Sequence, residues 1–241
     1  MGLRRIFIKA LNAAGMNVVR VKSAPSPLMH HQITVLIDVG ANKGQYARDC
    51  RKQGYKGKIV SFEPLPETYE VLSGFAKKDQ FWSVHDRCAI GAESGETEIN
   101  IAQNSLSSSI LPMMKAHIDA ASSSRYVGKA KTNVIPLDSI FDLYCKPDDK
   151  IFLKIDTQGF ESEVLKGAEK SLAKIAVVQL EMSIVPLYEG QKLYDYFIDY
   201  FKERGFFLWS IEAGFCDRAS GQHLQFDATF VRNDLATTVL R

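Results

Sequence analysis

Several kinds of sequence signal are scarce or missing in this chain of 241 residues. The four cysteines are far apart and form no C-x-x-C pair, which argues against a zinc or redox motif and indicates reduced thiols in a cytoplasmic protein. No apolar run is long enough to cross a membrane. The formal net charge is only +2 and the basic residues form no stripe, so we expect no nucleic-acid partner. The 46% of hydrophobic residues suffice for one large domain with a substantial core.

The most informative pattern in the sequence is the layout of a βαβ nucleotide-binding site. The apolar run 35–39 ends in a turn that contains glycine, and a polar helix is predicted to follow. A second apolar run, 59–62, ends at the acid Glu63. Small residues in such a turn let the backbone approach a ligand, and a carboxylate after the second strand can accept hydrogen bonds from both ribose hydroxyls.

The spacing of the turn narrows the choice of nucleotide. The turn is Asp38-x-Gly40-x-x-x-Gly44, which lacks the third glycine of the G-x-G-x-x-G dinucleotide fingerprint. Lys43 precedes Gly44 with no hydroxyl in register, so the turn is not a P-loop. An acid at the end of the strand would repel a pyrophosphate but suits a ligand with an ammonium group. S-adenosylmethionine carries an ammonium, a sulfonium and a ribose diol without phosphate, and we predict it as the cofactor.

The rest of the chain alternates between strand-like and helical segments, which predicts an α/β fold with a doubly wound sheet. Residues 1–32 are predicted to form an N-terminal helix and linker, and residues 33–241 one domain. Predicted strands lie near 81–90, 97–101, 151–156, 176–181, 206–211 and 224–231, the last two as an antiparallel pair, and predicted helices near 67–75, 161–172 and 191–204.

Two segments of the sequence each allow more than one interpretation. The serine-rich insertion at about 104–131 is either a lid or binding loop, or merely a solvated loop. The N-terminal helix, at about 1–21, has an apolar side that predicts packing either on the domain or on the second subunit of a homodimer. A peripheral membrane helix is the alternative for this segment, and stable insertion is not expected.

Acidic residues cluster near the predicted carboxyl ends of the strands, where ligands bind in open α/β sheets. Lys154 and Asp156 are two residues apart and therefore share one face of their strand. Glu161 lies at the start of the next helix, within reach of the same crevice unless it only favours the helix N-terminus. The strand-end acids predicted to share this crevice are Asp38, Glu63, Asp86, Asp156 and Glu181.

These residues, in order, resemble the FkbM-type methyltransferase family. The blocks that carry the resemblance are Asp38-Val-Gly-Ala-Asn-x-Gly44, Phe62-Glu63-Pro64, Ala89-Ile90-Gly91, Leu137-Asp138-Ser139-Ile140, Lys154-Ile155-Asp156-x-x-Gly159-x-Glu161-x-x-Val164-Leu165-x-Gly167 and Asp227-Ala-Thr-Phe-Val231. The resemblance implies a Rossmann-like, mostly parallel sheet of seven strands with an antiparallel closing hairpin. It also implies methyl transfer from S-adenosylmethionine to an oxygen, often a sugar hydroxyl. Two residues depart from the family pattern, Arg87 near the adenine and Gln158 where the family more often has an acid.

Each candidate residue of the cofactor site can then be given a role. Gly40 and Asn42 would wrap the methionine moiety, Asp38 would take its ammonium, and Glu63 would bind the ribose. Asp86 and the run 88–90 would flank the adenine. The predicted cofactor-binding residues are Asp38, Gly40, Asn42, Gly44, Glu63, Pro64, Asp86, Cys88 and Ala89.

An alcohol acceptor must lose a proton near the transition state, which requires a positioned base. Asp156 is the first choice and Glu181 the second, while Lys154 would hold the acceptor or stabilise an alkoxide. The residues predicted to bind a small-molecule acceptor are Glu161, His117 and Tyr188.

Three alternatives stay open beside this interpretation. Magnesium held by Asp156, Glu161 and Glu181 is conceivable but not favoured, since methyl transfer already has a cationic leaving group. An NAD-dependent oxidoreductase shares the βαβ unit but is disfavoured by Asp38 and the missing glycine. A non-catalytic nucleotide-binding module is the third, and the retained Lys154, Asp156 and Glu181 argue against it.

Overall fold

A computed structural model describes residues 26–235 of the protein, together with Lys9, Leu11 and Asn12. Most of the predicted N-terminal helix and linker therefore lies outside the described residues. The strands are β1 (Val35–Val39), β2 (Lys58–Phe62), β3 (Trp82–Val84), β4 (Cys88–Ile90), β5 (Gly95–Ala102), β6 (Tyr126–Ile135), β7 (Ile151–Ile155), β8 (Ile175–Ser183), β9 (Phe206–Ala213) and β10 (Gln225–Arg232). The α-helices are α1 (Pro27–His30), α2 (Gln45–Lys52), α3 (Pro66–Ala76), α4 (Lys115–Ala120), α5 (Phe141–Tyr144), α6 (Glu161–Lys166) and α7 (Tyr194–Glu203).

The main sheet has seven strands in the order β3-β2-β1-β7-β8-β10-β9. β1 pairs in parallel with both β2 and β7, and β8 pairs in parallel with β7. β10 runs antiparallel to both β8 and β9 and so closes the sheet. The predicted Rossmann-like sheet with an antiparallel closing hairpin is confirmed. Strand order reverses beside β1, and at such a switch point the carboxyl ends of the strands open a crevice for a ligand.

Apolar layers cover both faces of this sheet. Every residue of β1 and β7 is buried, which accounts for their nearly continuous hydrophobic sequences. On one face, Ile37 and Leu153 pack in the same cluster as residues of α6 and α7. On the other, Leu36 and Phe152 pack with residues of α2 and α3. Helices on both faces make the sheet doubly wound, as predicted.

The single strand predicted across residues 81–90 is wrong, because the chain there forms two strands in different sheets. β3 is an edge strand of the main sheet, whereas β4 belongs to a second sheet in the order β4-β6-β5. The backbone N–H of His85 still bonds to Ser61 O on β2, at 3.1 Å. Beyond it Arg87 donates to Pro64 O at 2.7 Å, and the chain turns away from the main sheet.

The insertion predicted at 104–131 is shorter in the structure. Its last part, 126–131, belongs to β6, which pairs antiparallel with β5. Most of β6 is exposed or half-buried, so the strand has no apolar alternation that the sequence could reveal. The segment between these strands contains α4 and a 3₁₀ turn at Ser122–Ser124.

Two helices are also shorter than predicted. α6 ends at Lys166 rather than near 172, and a Cβ on the following Gly167 would lie 1.9 Å from Gly91 O. α7 begins at Tyr194 rather than Gln191. Within the described part of the chain, no helix has the length and apolar character needed to traverse a bilayer.

Candidate active site

The turn after β1 is fixed by contacts with the ends of β2 and β7. Gly40 has a φ of +76°, and a Cβ there would lie 1.8 Å from the backbone oxygen of Asp156, so only glycine can occupy this position. Asn42 also has a positive φ, of 48°, and its backbone N–H donates to Glu63 Oε2 at 2.7 Å. The turn therefore brings the strand-end acids Glu63 and Asp156 to one crevice.

Glu63 is held by three donors although its side chain is almost wholly buried. Its Oε1 accepts from the Leu65 N–H at 2.9 Å and from the Thr68 hydroxyl at 2.7 Å. Burial raises the pKa of Glu63, and these hydrogen bonds oppose that rise. Among the described residues Oε2 accepts only from Asn42, so this oxygen has a lone pair left for a ligand.

A cleft of about 640 Å³, including its open part, lies over the ends of β1, β2 and β7. One part of its wall is polar and contains Gly40, Asn42, Glu63, Asp156, Thr157 and Gln158. The other is largely apolar and is formed by Pro64, Leu65, Cys88, Ala89, Ile90, Ile99 and Phe160, while Ser105, Leu106, Ser108 and Ile110 cover it from the insertion.

Lys154 lies beneath the polar end of the cleft, buried between two carboxylates. Its Nζ is 3.4 Å from Asp38 Oδ1, 3.3 Å from Asp156 Oδ2 and 3.3 Å from Gly40 O. Burial lowers the pKa of Lys154, but the charges of Asp156 and Asp38 outweigh it and hold the pKa above its usual value. Burial raises the pKa of Asp38, and Lys154 opposes this. Lys154 is therefore a cation that ties β1 to the end of β7.

The Asp156 carboxylate is at the cleft wall, with about a third of its side chain exposed. Its Oδ1 accepts from Gln158 Nε2 at 2.8 Å, and the same Nε2 lies 2.5 Å from Glu181 Oε2. Burial raises the pKa of Glu181 well above its usual value, and the nearby charges of Asp156 and Asp227 raise it further. The crevice therefore contains two linked carboxylates, of which Asp156 lines the cleft.

Comparison with known proteins identifies the family to which the chain belongs. Residues 38–208, most of the chain, match the methyltransferase FkbM domain. The chain belongs to the FkbM methyltransferase family. The predicted family is confirmed by this match. It is a methyltransferase family and not a dehydrogenase family, which argues against the NAD-dependent oxidoreductase alternative.

Individual relatives of the chain are distant. The curated "Methyltransferase sdnD" of Sordaria araneosa is 28% identical over 156 residues, which are 56% of this chain and 60% of that protein. The chain therefore spans about three fifths of this relative's length. The crystal structure of the FkbM methyltransferase from Methylobacillus flagellatus KT is similar over 82% of this chain and 43% of that one, with a TM-score of 0.49 and 14% identity.

A methyltransferase from Aquifex aeolicus described as SAM-dependent is similar over 86% of this chain and 94% of that one, with a TM-score of 0.43 and 12% identity. Both TM-scores are below 0.5, so the family assignment rests on residues 38–208 alone.

The structure brings most of the predicted cofactor residues of the FkbM site together. The predicted residues that line the cleft are Gly40, Asn42, Glu63, Pro64, Cys88, Ala89 and Asp156. Asp38, Gly44 and Asp86 do not line it. Asp38 is completely buried and pairs with Lys154, a Cβ on Gly44 would contact Trp82, and Asp86 is exposed beyond β3. Their roles at the cofactor therefore stay predictions.

Glu161, which was predicted to bind the acceptor, uses its carboxylate inside the protein. Oε1 accepts from the backbone N–H of Thr157 at 3.0 Å, the Thr157 hydroxyl at 3.2 Å and the N–H of Gly159 at 3.1 Å. Burial raises the pKa of Glu161 to about 7. Glu161 therefore stabilises the turn between β7 and α6.

His117 and Tyr188, which were also predicted to bind the acceptor, do not line the cleft. The His117 ring lies among apolar side chains, with its centroid 5.2 Å from those of Tyr188 and Phe215. Tyr188 is fully buried, so its ring cannot stack on a sugar. Its hydroxyl donates to Gln158 Oε1 at 2.8 Å instead. The insertion also packs here, through the bond from the Met114 N–H to Leu187 O.

The roles of two parts of the site, Gln158 and residues 105–110, were not predicted from the sequence. Gln158 was singled out only as a departure from the family pattern, although its amide links Asp156 and Glu181. Residues 105–110 were expected only as part of a longer insertion, yet four of them cover the cleft. Ser105 O accepts from Asn42 Nδ2 at 3.3 Å, which joins this segment to the cofactor turn.

Residues 26–235 contain no group of three or more His, Cys, Asp or Glu side chains placed to hold a metal ion. Of the three acids considered for magnesium, Glu161 is committed to the turn that it caps.

Proposed function

We propose that this FkbM methyltransferase transfers a methyl group from S-adenosylmethionine to a hydroxyl of a sugar or other small molecule. The observation that carries the proposal is the Asp156 carboxylate, which is held by Lys154 and Gln158 and faces the cleft that Glu63 and the turn after β1 define. A fixed base beside a cofactor cleft is what transfer to an alcohol requires.

The residues of the cleft suit the cofactor. Glu63 Oε2 would accept from a ribose hydroxyl with its remaining lone pair, and the wall around Pro64 and Ala89 would hold the adenine. The backbone at Gly40, where a Cβ would meet Asp156 O, would pass closely around the methionine moiety. When bound there, S-adenosylmethionine supplies an electrophilic methyl group on a sulfonium. The Asp38 charge would act on its ammonium only through the intervening Gly40 turn.

Asp156 would take the proton of the acceptor hydroxyl as the acceptor oxygen attacks. Lys154, 3.3 Å from Asp156 Oδ2, fixes the orientation of that carboxylate and supplies positive charge near the developing anion. Glu181 is linked to Asp156 through Gln158 and does not line the cleft, so it is the weaker candidate for the base.

Calorimetric titration with S-adenosylhomocysteine tests the cofactor site. We expect wild-type protein to bind and Glu63→Ala to bind at least tenfold more weakly, since a hydrogen bond to a charged group is worth about 1.5–3 kcal/mol. Glu67→Ala, which removes an exposed carboxylate from the next helix, is the matched control and should bind as wild type. A folded wild-type protein that binds no S-adenosylhomocysteine would refute the proposed cofactor site.

Transfer of radiolabelled methyl groups to a panel of sugars, small alcohols, amines and RNA tests the acceptor class. A labelled methyl ether of a sugar or alcohol is the expected product, and Asp156→Asn should lower kcat by about 10²–10⁴-fold while S-adenosylhomocysteine still binds. Labelling confined to amines or RNA would contradict the proposed acceptor.

A homodimer also stays a prediction, and light scattering would measure the oligomeric state.

A further inference from the structure

Gln158 occupies an unusual position between the carboxylates of the site. It directly follows Thr157 in the turn after β7, has a φ of +56° and is largely buried. Its Nε2 lies 2.8 Å from Asp156 Oδ1 and 2.5 Å from Glu181 Oε2. A side-chain amide nitrogen carries two hydrogens, so one amide group can donate to both carboxylates at once.

The other end of this amide meets a tyrosine hydroxyl. Oε1 accepts from the hydroxyl of Tyr188 at 2.8 Å, and that hydroxyl also lies 3.2 Å from Ser107 O. A flipped amide would place Oε1, which only accepts hydrogen bonds, against two carboxylates that also need donors. The two acids therefore set the orientation of the amide, and the Tyr188 hydroxyl is compatible with it.

The backbone of Gln158 is held independently of its side chain. Its carbonyl oxygen accepts from Ser109 Oγ at 2.6 Å, which joins the turn to the insertion. The neighbouring Gly159 N–H is bonded to Glu161. The amide is thus presented from a turn anchored on both sides, and its position does not depend on the two carboxylates alone.

We propose that Gln158 is a positioning residue for methyl transfer: its amide holds the Asp156 carboxylate at the cleft and couples it to Glu181, while the Tyr188 hydroxyl bonds to the amide oxygen and restricts its movement. The inference rests on the proposed role of Asp156 as base. Gln158 also lines the cleft, but the role proposed for it is exerted through Asp156 and not on the acceptor. It acts by restricting the directions in which Asp156 can accept a proton.

Glu181 offers a readout of this link that needs no acceptor. Its Oε2 also accepts from Gln225 Nε2 at 2.8 Å, and loss of the Gln158 donor would leave its charged form less stabilised. The charged groups that face Glu181 are Lys154 on β7, Asp156 after β7, Asp227 on β10 and Glu161 on α6. All of them are unchanged when only Gln158 or Tyr188 is replaced.

The test is a carbon-detected NMR titration of protein with ¹³C-labelled glutamate side chains, saturated with S-adenosylhomocysteine, with Glu181 assigned from Glu181→Gln. We expect Gln158→Met to raise the midpoint of the Glu181 titration by about one pH unit, a tenfold change in its dissociation constant. Tyr188→Phe should raise it by a smaller amount, because the amide keeps both carboxylate partners but loses the hydrogen bond that restricts its oxygen. Tyr126→Phe is the matched control, since that hydroxyl bonds to Leu111 O in the insertion, and it should leave the midpoint unchanged.

An unchanged midpoint in Gln158→Met, in protein that binds S-adenosylhomocysteine as wild type does, would overturn the proposal. If Gln158→Met does not fold, Tyr188→Phe decides, and equal midpoints in Tyr188→Phe and Tyr126→Phe would overturn it. Failure of the proposed function would give a different result. Either wild-type protein would not bind S-adenosylhomocysteine, or Asp156→Asn would not lower kcat. With an acceptor from the panel, Gln158→Met should lower kcat about tenfold or more and leave KM within about twofold.

Discussion

Gly40 and Asp156 approach so closely that a methyl group on Gly40 would lie 1.8 Å from the backbone carbonyl oxygen of Asp156. The end of β1 is therefore pressed against the end of β7, and this contact brings the cofactor turn to the proposed base. Neither strand can shift without moving the other, because β1 and β7 are also paired along their full length.

Gly40→Ala tests this contact. We expect it to cost at least about 3 kcal/mol of unfolding free energy and to abolish binding of S-adenosylhomocysteine, since left-handed strain and a backbone clash add together. Gly205→Ala is the matched control, because Gly205 has a φ of +78° but nothing within 4 Å of the added Cβ. It should cost only about 1–2 kcal/mol in urea unfolding. Equal losses of unfolding free energy in Gly40→Ala and Gly205→Ala would show that the close approach of Gly40 to Asp156 has no energetic consequence.

Thr68 is expected to influence the cofactor although it does not line the cleft. Its hydroxyl donates to Glu63 Oε1 at 2.7 Å from the first turn of α3. Thr68→Val should destabilise the protein by about 1–3 kcal/mol, because a buried carboxylate oxygen loses a donor. Calorimetry should also show weaker S-adenosylhomocysteine binding, while Thr68→Ser, which keeps the hydroxyl, should bind normally. Wild-type affinity in Thr68→Val would mean that Glu63 needs only its backbone donors.

The positions of Glu63 and Asp156 could be predicted because parallel strands impose them. Both follow apolar runs, and the carboxyl ends of neighbouring parallel strands meet at one edge of the sheet. The sequence pattern of β1, β2 and β7 was sufficient for that step, and it also placed Gly40 and Asn42. No knowledge of side-chain contacts was needed for any of these residues.

The roles of Glu161, His117 and Tyr188 could not be predicted in the same way. Whether a carboxylate faces a ligand or backbone N–H groups depends on the local path of the chain, and Gly159, with its φ of +96°, sets that path for Glu161. His117 and Tyr188 became buried because the insertion folds onto the segment after β8. Contacts between segments about 70 residues apart leave no pattern in one sequence.

Lys154 should be important for stability as well as for catalysis. It lies between Asp38, which is fully buried, and Asp156. Lys154→Met should cost about 3–5 kcal/mol, because it leaves the Asp38 charge buried without compensation. Adding Asp38→Asn should recover part of that loss in urea unfolding. The control is Lys174→Met, whose pair with Asp142 is exposed and should contribute less than about 1 kcal/mol. Failure of Asp38→Asn to restore any stability would contradict this account.

His117 makes the fold sensitive to acid. Burial among Tyr188 and Phe215 lowers its pKa to about 4, from an ordinary value of 6.5. A histidine with a depressed pKa binds protons more readily in the unfolded chain, so its contribution to stability is lost as the pH falls below about 6.5. At pH 5 this amounts to about 2 kcal/mol relative to pH 7.5, on the scale of 1.36 kcal/mol per pKa unit.

His117→Phe removes that titration and keeps an aromatic ring in the cluster. Urea unfolding at pH 5 and pH 7.5 should therefore show a loss about 2 kcal/mol smaller in His117→Phe than in wild type. The control His223→Phe alters an exposed histidine and should retain the wild-type difference. If the two variants lost equal stability on acidification, the His117 ring would have to reach solvent or a partner when protonated. That result would indicate that the insertion opens at low pH, since the ring is almost fully buried while α4 stays packed against Tyr188.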